Sequence, residues 1–181
     1  MLNFLSMALW DILTQTYFGS NLGQYLFFAG SFIIATIVAK ILYFFIKKYG
    51  TILTAKTENQ FDDLVIEAID KPITFAGFII GLSIGYSFLT PDNAFITNNF
   101  LNEISALIIL NITWLALKLI DGFIEHIVIP LTAKTESKLD DQLIPILRKL
   151  AKGAVILMAL VIILSNFGID VLPLVAGLGI G

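Results

Sequence analysis

The chain has 181 residues, 57% of them hydrophobic and only 14% charged, with a formal net charge of −3. Soluble domains carry about 25% charged residues, so the shortfall excludes an ordinary water-facing surface over much of the chain. The small net charge gives no footing for nucleic acid, and the lack of cysteine excludes a disulfide framework, a thiolate nucleophile or a thiolate metal site.

Residues 1–20 are expected to form an outer interfacial segment. A secretory signal needs a basic first part, and MLNFLSMALWDILTQTYF has none. Leu2, Leu5, Leu9, Ile12 and Leu13 recur at helical spacing, which predicts a short helix lying in the interface with Trp10 and Tyr17 as anchors. A first helical hairpin is expected over 21–90. Its first span is Leu22 to Ile46, with Lys40 near the inner end, where it can snorkel toward Lys47 and Lys48. Ser31, Ala35 and Ala39 fall four apart and give one close-packing edge. The second span is Pro72 to Leu89, with Pro72 placed in the first helical turn, where its missing N–H is not needed. Gly77, Gly81 and Gly85 form a GxxxGxxxG ridge, which predicts close packing on another helix, with the Ser31–Ala35–Ala39 edge as its partner.

Thr90 to Asn99 reads as a polar outer loop. A second hairpin is expected over 100–169. Its spans are Phe100 to Phe123 and about Ala151 to Phe167. Lys118 and Asp121, three apart, share a helix face near the inner rim. His126, the lone histidine, reads as an interfacial residue. SNFGIDVL reads as a tight outer turn in which Asp170 caps the helix that follows and Pro173 falls in its first turn.

All 11 Lys and Arg fall in two windows, Lys40 to Lys71 and Lys118 to Lys152. Short basic loops stay cytoplasmic, so both windows should face inward and the N-terminus outward. Lys47, Lys48, Lys56, Lys134, Lys138, Arg148, Lys149 and Lys152 are the residues expected to face lipid headgroups. The windows also hold an internal repeat. LTAKTENQFDDLVIEAIDK (Leu53 to Lys71) returns 78 residues later as LTAKTESKLDDQLIPILRK (Leu131 to Lys149), and from Lys40 and Lys118 onward 13 of 32 positions are identical. Thr57 with Gln60, Asp62 with Asp63, and Asp140 with Asp141 suit helix starts. The four aspartates are expected to cap the connector helices, because carboxylates stabilise free N–H groups there. A divalent-metal site from Asp62, Asp63, Asp140 and Asp141 is the weaker alternative, because adjacent aspartates point in different directions on a helix. AGLGIG at 176–181 lacks the spacing of a phosphate loop.

SKLDDQLIPILRKL, an apolar span, then SNFGIDVLPLVAGLGIG resembles the small-conductance mechanosensitive channel family, in particular its members with five membrane helices per subunit. The resemblance is specific over about Ser137 to Gly181 and looser over 22–130. It implies an all-α membrane protein of repeated transmembrane hairpins, four spans plus the start of a fifth, pore-lining helix at 170–181. It implies a homo-oligomer, a heptamer, that passes ions under membrane tension, with Ala176, Gly177, Gly179 and Gly181 as the first pore-helix packing positions. The family's constriction leucines and β-rich cage would lie beyond Gly181, so the sequence as given is expected to carry the sensor region and the mouth of a pore. From the residues alone, a small transporter built on parallel repeats and a non-conducting assembly subunit remain open. An enzyme is not expected, since no nucleophile–base, cofactor or metal constellation is present.

Overall fold

The computed structural model describes residues 14–54, 60–89, 94–132, 140–173 and 176–177. The interfacial helix expected from the first residues lies largely outside these. The described segment opens instead on a two-residue strand pair, β1 (Thr16–Tyr17) against β2 (Ser20–Asn21), antiparallel, with Thr16 opposite Asn21. The turn between them needs positive φ at both central residues. Phe18 (φ 52) and Gly19 (φ 85) supply it.

The first helix, α1 (Leu22–Thr54), starts on a reciprocal cap. Asn21 Oδ1 accepts from the Gln24 N–H, and Gln24 Oε1 accepts from the Asn21 N–H, each at 2.8 Å. Two of the free N–H groups at the helix start are thereby satisfied. The helix runs past the expected end at Ile46, through Lys47 and Lys48. Gly50 does not stop it; a Cβ there would come within 2.6 Å of Ile66 Cδ1 on the next helix, so the glycine serves a close approach.

The second helix, α2 (Gln60–Tyr86), corrects the expectation for Pro72. That residue lies in the interior of one continuous helix, not in a first turn. Proline removes one helical hydrogen bond, the one to the Ala68 carbonyl, and crowds that carbonyl with its ring. Good helical sequence on both sides carries the helix through. The carbonyl of Pro72 itself accepts from Asn111 Nδ2 of the third helix at 3.1 Å. After Tyr86 the chain tightens: Ser87, Phe88 and Leu89 donate to the carbonyls of Ile84, Gly85 and Tyr86 at 3.0–3.1 Å.

The third helix, α3 (Ala94–Phe123), continues into a π turn, Ile124–Val128, and a last α-helical turn, Ile129–Thr132. Pro130 accounts for the widened turn. It cannot donate to the His126 carbonyl four residues back, and the looser π geometry makes room for its ring. The repeat-equivalent residues Thr54 and Thr132, 78 positions apart, are both helical and are the last described before their connectors. The fourth helix, α4 (Asp140–Asn166), ends in a Schellman motif. Gly168 takes φ +77, its N–H reaches the Ser165 carbonyl, and the Ile169 N–H reaches the Leu164 carbonyl, both at 3.0 Å. Asp170 Oδ1 then accepts from the Leu172 N–H at 3.0 Å, where helix resumes at Leu172 and Pro173.

The aspartates expected as caps lie where α2 and α4 are first described. Asp62 and Asp63 are the third and fourth residues of α2, and Asp140 and Asp141 are the first and second of α4. The residues that precede Gln60 and Asp140 lie outside the described ones, and the capping expectation depends on them. A carboxylate anywhere in a first turn favours the positive end of the helix dipole.

The four long helices are joined as two helix–connector–helix units in chain order. Between α2 and α3 lies a small core in which Ile79, Phe100 and Ile104 are buried. Tyr86 stacks on Phe100 with ring centroids 3.5 Å apart. Most large apolar side chains elsewhere are exposed. Among the described residues two stretches, Leu22–Gly50 and Asn99–Thr132, are long and apolar enough to cross a membrane, and almost none of either is buried by the protein. Apolar helices left uncovered in this way call for lipid as their solvent.

Candidate functional site

The closest helix approach is between α1 and α2, at the glycine ridge. A Cβ on Gly77 would fall on the Ala39 methyl and 2.9 Å from the Ala35 carbonyl oxygen. One on Gly81 would fall on the Phe32 Cα, 2.8 Å from both Ala35 Cβ and the Ser31 carbonyl oxygen. One on Gly85 would fall on Ser31 Oγ, 2.9 Å from the Phe28 carbonyl oxygen. Backbone therefore lies on backbone for two turns of helix. Ser31 Oγ sits between the Phe28 carbonyl of its own helix and the Gly81 carbonyl across the interface, at 2.7 and 2.8 Å. Phe32 and Phe78 close the side of the seam edge to face, 5.5 Å apart. In lipid, where burial supplies no drive for helices to associate, such van der Waals contact and interhelical hydrogen bonding hold them.

The second cluster is ionic and joins α3 to α4 near the connector. Arg148 Nη2 donates to Glu125 Oε1 at 2.6 Å and to the Asp121 carbonyl at 3.2 Å. Its Nε lies 3.3 Å from Asp121 Oδ1, ion-pair range without hydrogen-bond alignment. Lys152 Nζ donates to Asp121 Oδ2 at 2.7 Å. Asp121 thus receives two cations, and both Arg148 and Lys152 turn onto α3. Sequence reasoning assigned those two to lipid headgroups and missed the cluster. The signal was present: Asp121 and Glu125 are four apart on one helix, as are Arg148 and Lys152 on the other, so each pair shares a face. Lys118, expected beside Asp121, lies over the Trp114 ring at 5.9 Å. Glu67, Lys118, Asp121, Glu125 and His126 line a polar cleft of about 190 Å³ between α2 and α3.

Lys47, Lys48 and Lys149 are exposed, while Lys56, Lys134 and Lys138 lie outside the described residues. Thr57 lies outside them too. The backbones of Asp62, Asp63, Asp140 and Asp141 are helical, but their side chains fall outside what is described. Ala176 and Gly177 are helical and exposed; Gly179 and Gly181 fall outside the described residues. Among the described residues no three His, Asp or Glu side chains stand close enough to hold a metal ion.

No family model and no solved structure matches the chain. Two curated proteins of Methanocaldococcus jannaschii do. The small-conductance mechanosensitive channel MscMJ is 35% identical over 165 residues, which is 91% of this chain and 47% of that protein. The large-conductance mechanosensitive channel MscMJLR is 25% identical over 175 residues, 97% of this chain and 48% of that protein. The chain thus spans about half the length of the curated relatives it matches. Over the length it shares with them, it belongs to the small-conductance mechanosensitive channel family.

Proposed function

We propose that the chain is the tension-sensing membrane part of a mechanosensitive channel subunit, which admits ions and small solutes to an exit path when hypo-osmotic shock stretches the membrane. The observation that carries this is the 35% identity to MscMJ across 91% of the chain. In this reading all four helices cross the bilayer. α1 and α3 are long enough with length to spare, and α2 and α4 cross by their apolar parts beyond Pro72 and Lys152. The connectors lie in the cytoplasmic headgroup layer, the N-terminus lies outside, and the last helix begins at Leu172 as a pore wall. Small residues there, Ala176 and Gly177 among them, let copies of the subunit pack around a common axis, seven by family resemblance.

The uncovered apolar faces supply the coupling to tension. An apolar groove of about 450 Å³ runs beside the ridge, walled by side chains such as Ile34, Val38 and Ile80. Lipid that fills such surfaces exchanges lateral pressure with the helices. Tension favours whichever state has the larger in-plane area, a population shift in which the bilayer acts as the ligand. Excised patches carrying the full-length gene product should show suction-activated openings that are missing from patches without it. Patches with abundant protein and no such openings would defeat the reading.

A further inference from the structure

The two hairpins are not held in the same way, although they repeat one sequence. The first is zipped along the ridge. At the repeat-equivalent positions the second hairpin carries Val155, Ala159 and Ile163 opposite Ile109, Thr113 and Leu117. Val155 and Ile163 put branched side chains where Gly77 and Gly85 let backbone approach backbone, and the buried Ala159 adds a methyl where Gly81 has none. What joins α4 to α3 at the connector end is the cluster of Arg148 and Lys152 with Asp121 and Glu125. The repeat places Lys47 and Asp70 at the positions of Glu125 and Arg148, the same opposite charges with their helices exchanged. In the second hairpin the two positions meet at 2.6 Å, and the repeat puts opposite charges at both positions again.

We infer that the Arg148–Lys152/Asp121–Glu125 cluster is an ionic clasp that sets how far α4 parts from α3, so that the membrane unit opens at its second hairpin while the first moves as one body. The inference rests on the channel reading for its link to gating, but the clasp itself is tested without current. Side-chain exposures of 30–54% across the cluster leave it open to screening by salt. α4 leads directly, through the Gly168 turn, to the helix that begins at Leu172. Any swing of α4 about the clasp is thus delivered to that helix.

The chain has no native cysteine, so spin labels can be placed at Ile129→Cys and Leu150→Cys across α3 and α4, and at Ile41→Cys and Ile80→Cys across α1 and α2. Distances are measured in the whole chain in liposomes. The α3–α4 pair should give one narrow distribution that broadens toward longer distances with Arg148→Glu, and also at about 1 M salt, where charges are screened beyond about 3 Å. The triple variant Asp121→Asn/Glu125→Lys/Arg148→Asp, which puts the lysine and aspartate of the first hairpin's positions 47 and 70 at 125 and 148, should restore the narrow distribution. The α1–α2 pair should not respond to any of these. An α3–α4 distribution unchanged by Arg148→Glu, or a triple variant as broad as the single one, would overturn the clasp. Equal broadening of the α1–α2 pair would overturn it too, because the loss would be general. In the full-length product Arg148→Glu should lower the tension for opening; broadened distances with an unchanged threshold would sever the clasp from gating. Absence of all current would instead tell against the channel reading and leave the distance result standing.

Discussion

Replacing Gly81 with leucine tests the packing of the first hairpin most directly. The Cβ alone would coincide with the Phe32 Cα and lie 2.8 Å from Ala35 Cβ. Ordinary carbon contacts are about 3.5–4.0 Å, so α1 and α2 must part by more than an ångström before the rest of the leucine is placed. Overpacking of this kind costs about 1–3 kcal/mol. Parting the helices also stretches the Ser31 Oγ–Gly81 carbonyl bond, now 2.8 Å, worth about 0.6 kcal/mol and at most about 1.7 in membrane proteins. A loss of roughly 2–4 kcal/mol follows from the sum. The measurement is reversible unfolding in mixed micelles by denaturing detergent. Gly153→Leu is the control, since a Cβ at Gly153 meets nothing within 4 Å, and leucine there should stabilise the helix by its better propensity. Gly81→Leu and Gly153→Leu with equal stability would refute the argument, and the ridge would then have to be lipid-facing.

Gly168→Ala should cost about 1–2 kcal/mol in the same unfolding assay, because Gly168 holds φ +77 and an L-residue there is strained; no loss would mean that the turn after α4 has another conformation. Asn21→Ala should cost about 1 kcal/mol by removing one half of the reciprocal cap on α1, and Asn21→Ser should recover most of it. For topology, cysteines at Asn59 and Ser137 should react with an impermeant reagent from one side of the membrane and a cysteine at Asn93 from the other; all three reacting from one side would end the four-span proposal. Asn111→Leu should be nearly neutral, since it loses the bond to the Pro72 carbonyl but no longer buries the unpartnered Asn111 Oδ1, whereas Asn111→Asp should cost more than about 2 kcal/mol by placing an ionisable group at mid-helix.

What was legible in the sequence was what depends on local pattern. The apolar runs, the repeat, the glycine spacing, the turn at SNFGID and the cap by Asp170 are all short-range signals, and each has a direct structural counterpart. Helix lengths were less legible, because a polar stretch such as Lys47–Thr54 ends a membrane span without ending a helix. Pro72 misled for a related reason. Proline at the edge of an apolar run looks like a start, yet one lost hydrogen bond is tolerable when the turns before and after are both well formed. The reciprocal Asn21–Gln24 cap and the Asp121–Glu125–Arg148–Lys152 cluster were written in plain spacing. The first has the same spacing as Thr57 and Gln60, so the pattern alone does not rank the two. The second needed the knowledge that α3 and α4 lie side by side, which periodicity within one helix does not contain.

The repeat also explains why the two hairpins diverged where they did. Identity between the copies is concentrated at LTAKTE and the Asp-Asp pairs, around the connector that joins the helices of each hairpin. On the faces between helices the copies differ. In lipid a hairpin gains nothing from burying leucine against leucine instead of against acyl chains, so the glycine ridge ties the first hairpin along its length. The second hairpin is joined at its connector end by partly exposed charged side chains, which can be paired at modest cost. That assigns the two units different mechanical roles from their packing alone: a stiff pair formed by α1 and α2, anchored on α3 through the Tyr86–Phe100 stack and the Asn111–Pro72 bond, and a looser α4 at the far side of α3. On the clasp proposal, a force spread over the lipid-facing surface would move α4 against α3, and α4 is continuous with the turn that leads to the helix at Leu172.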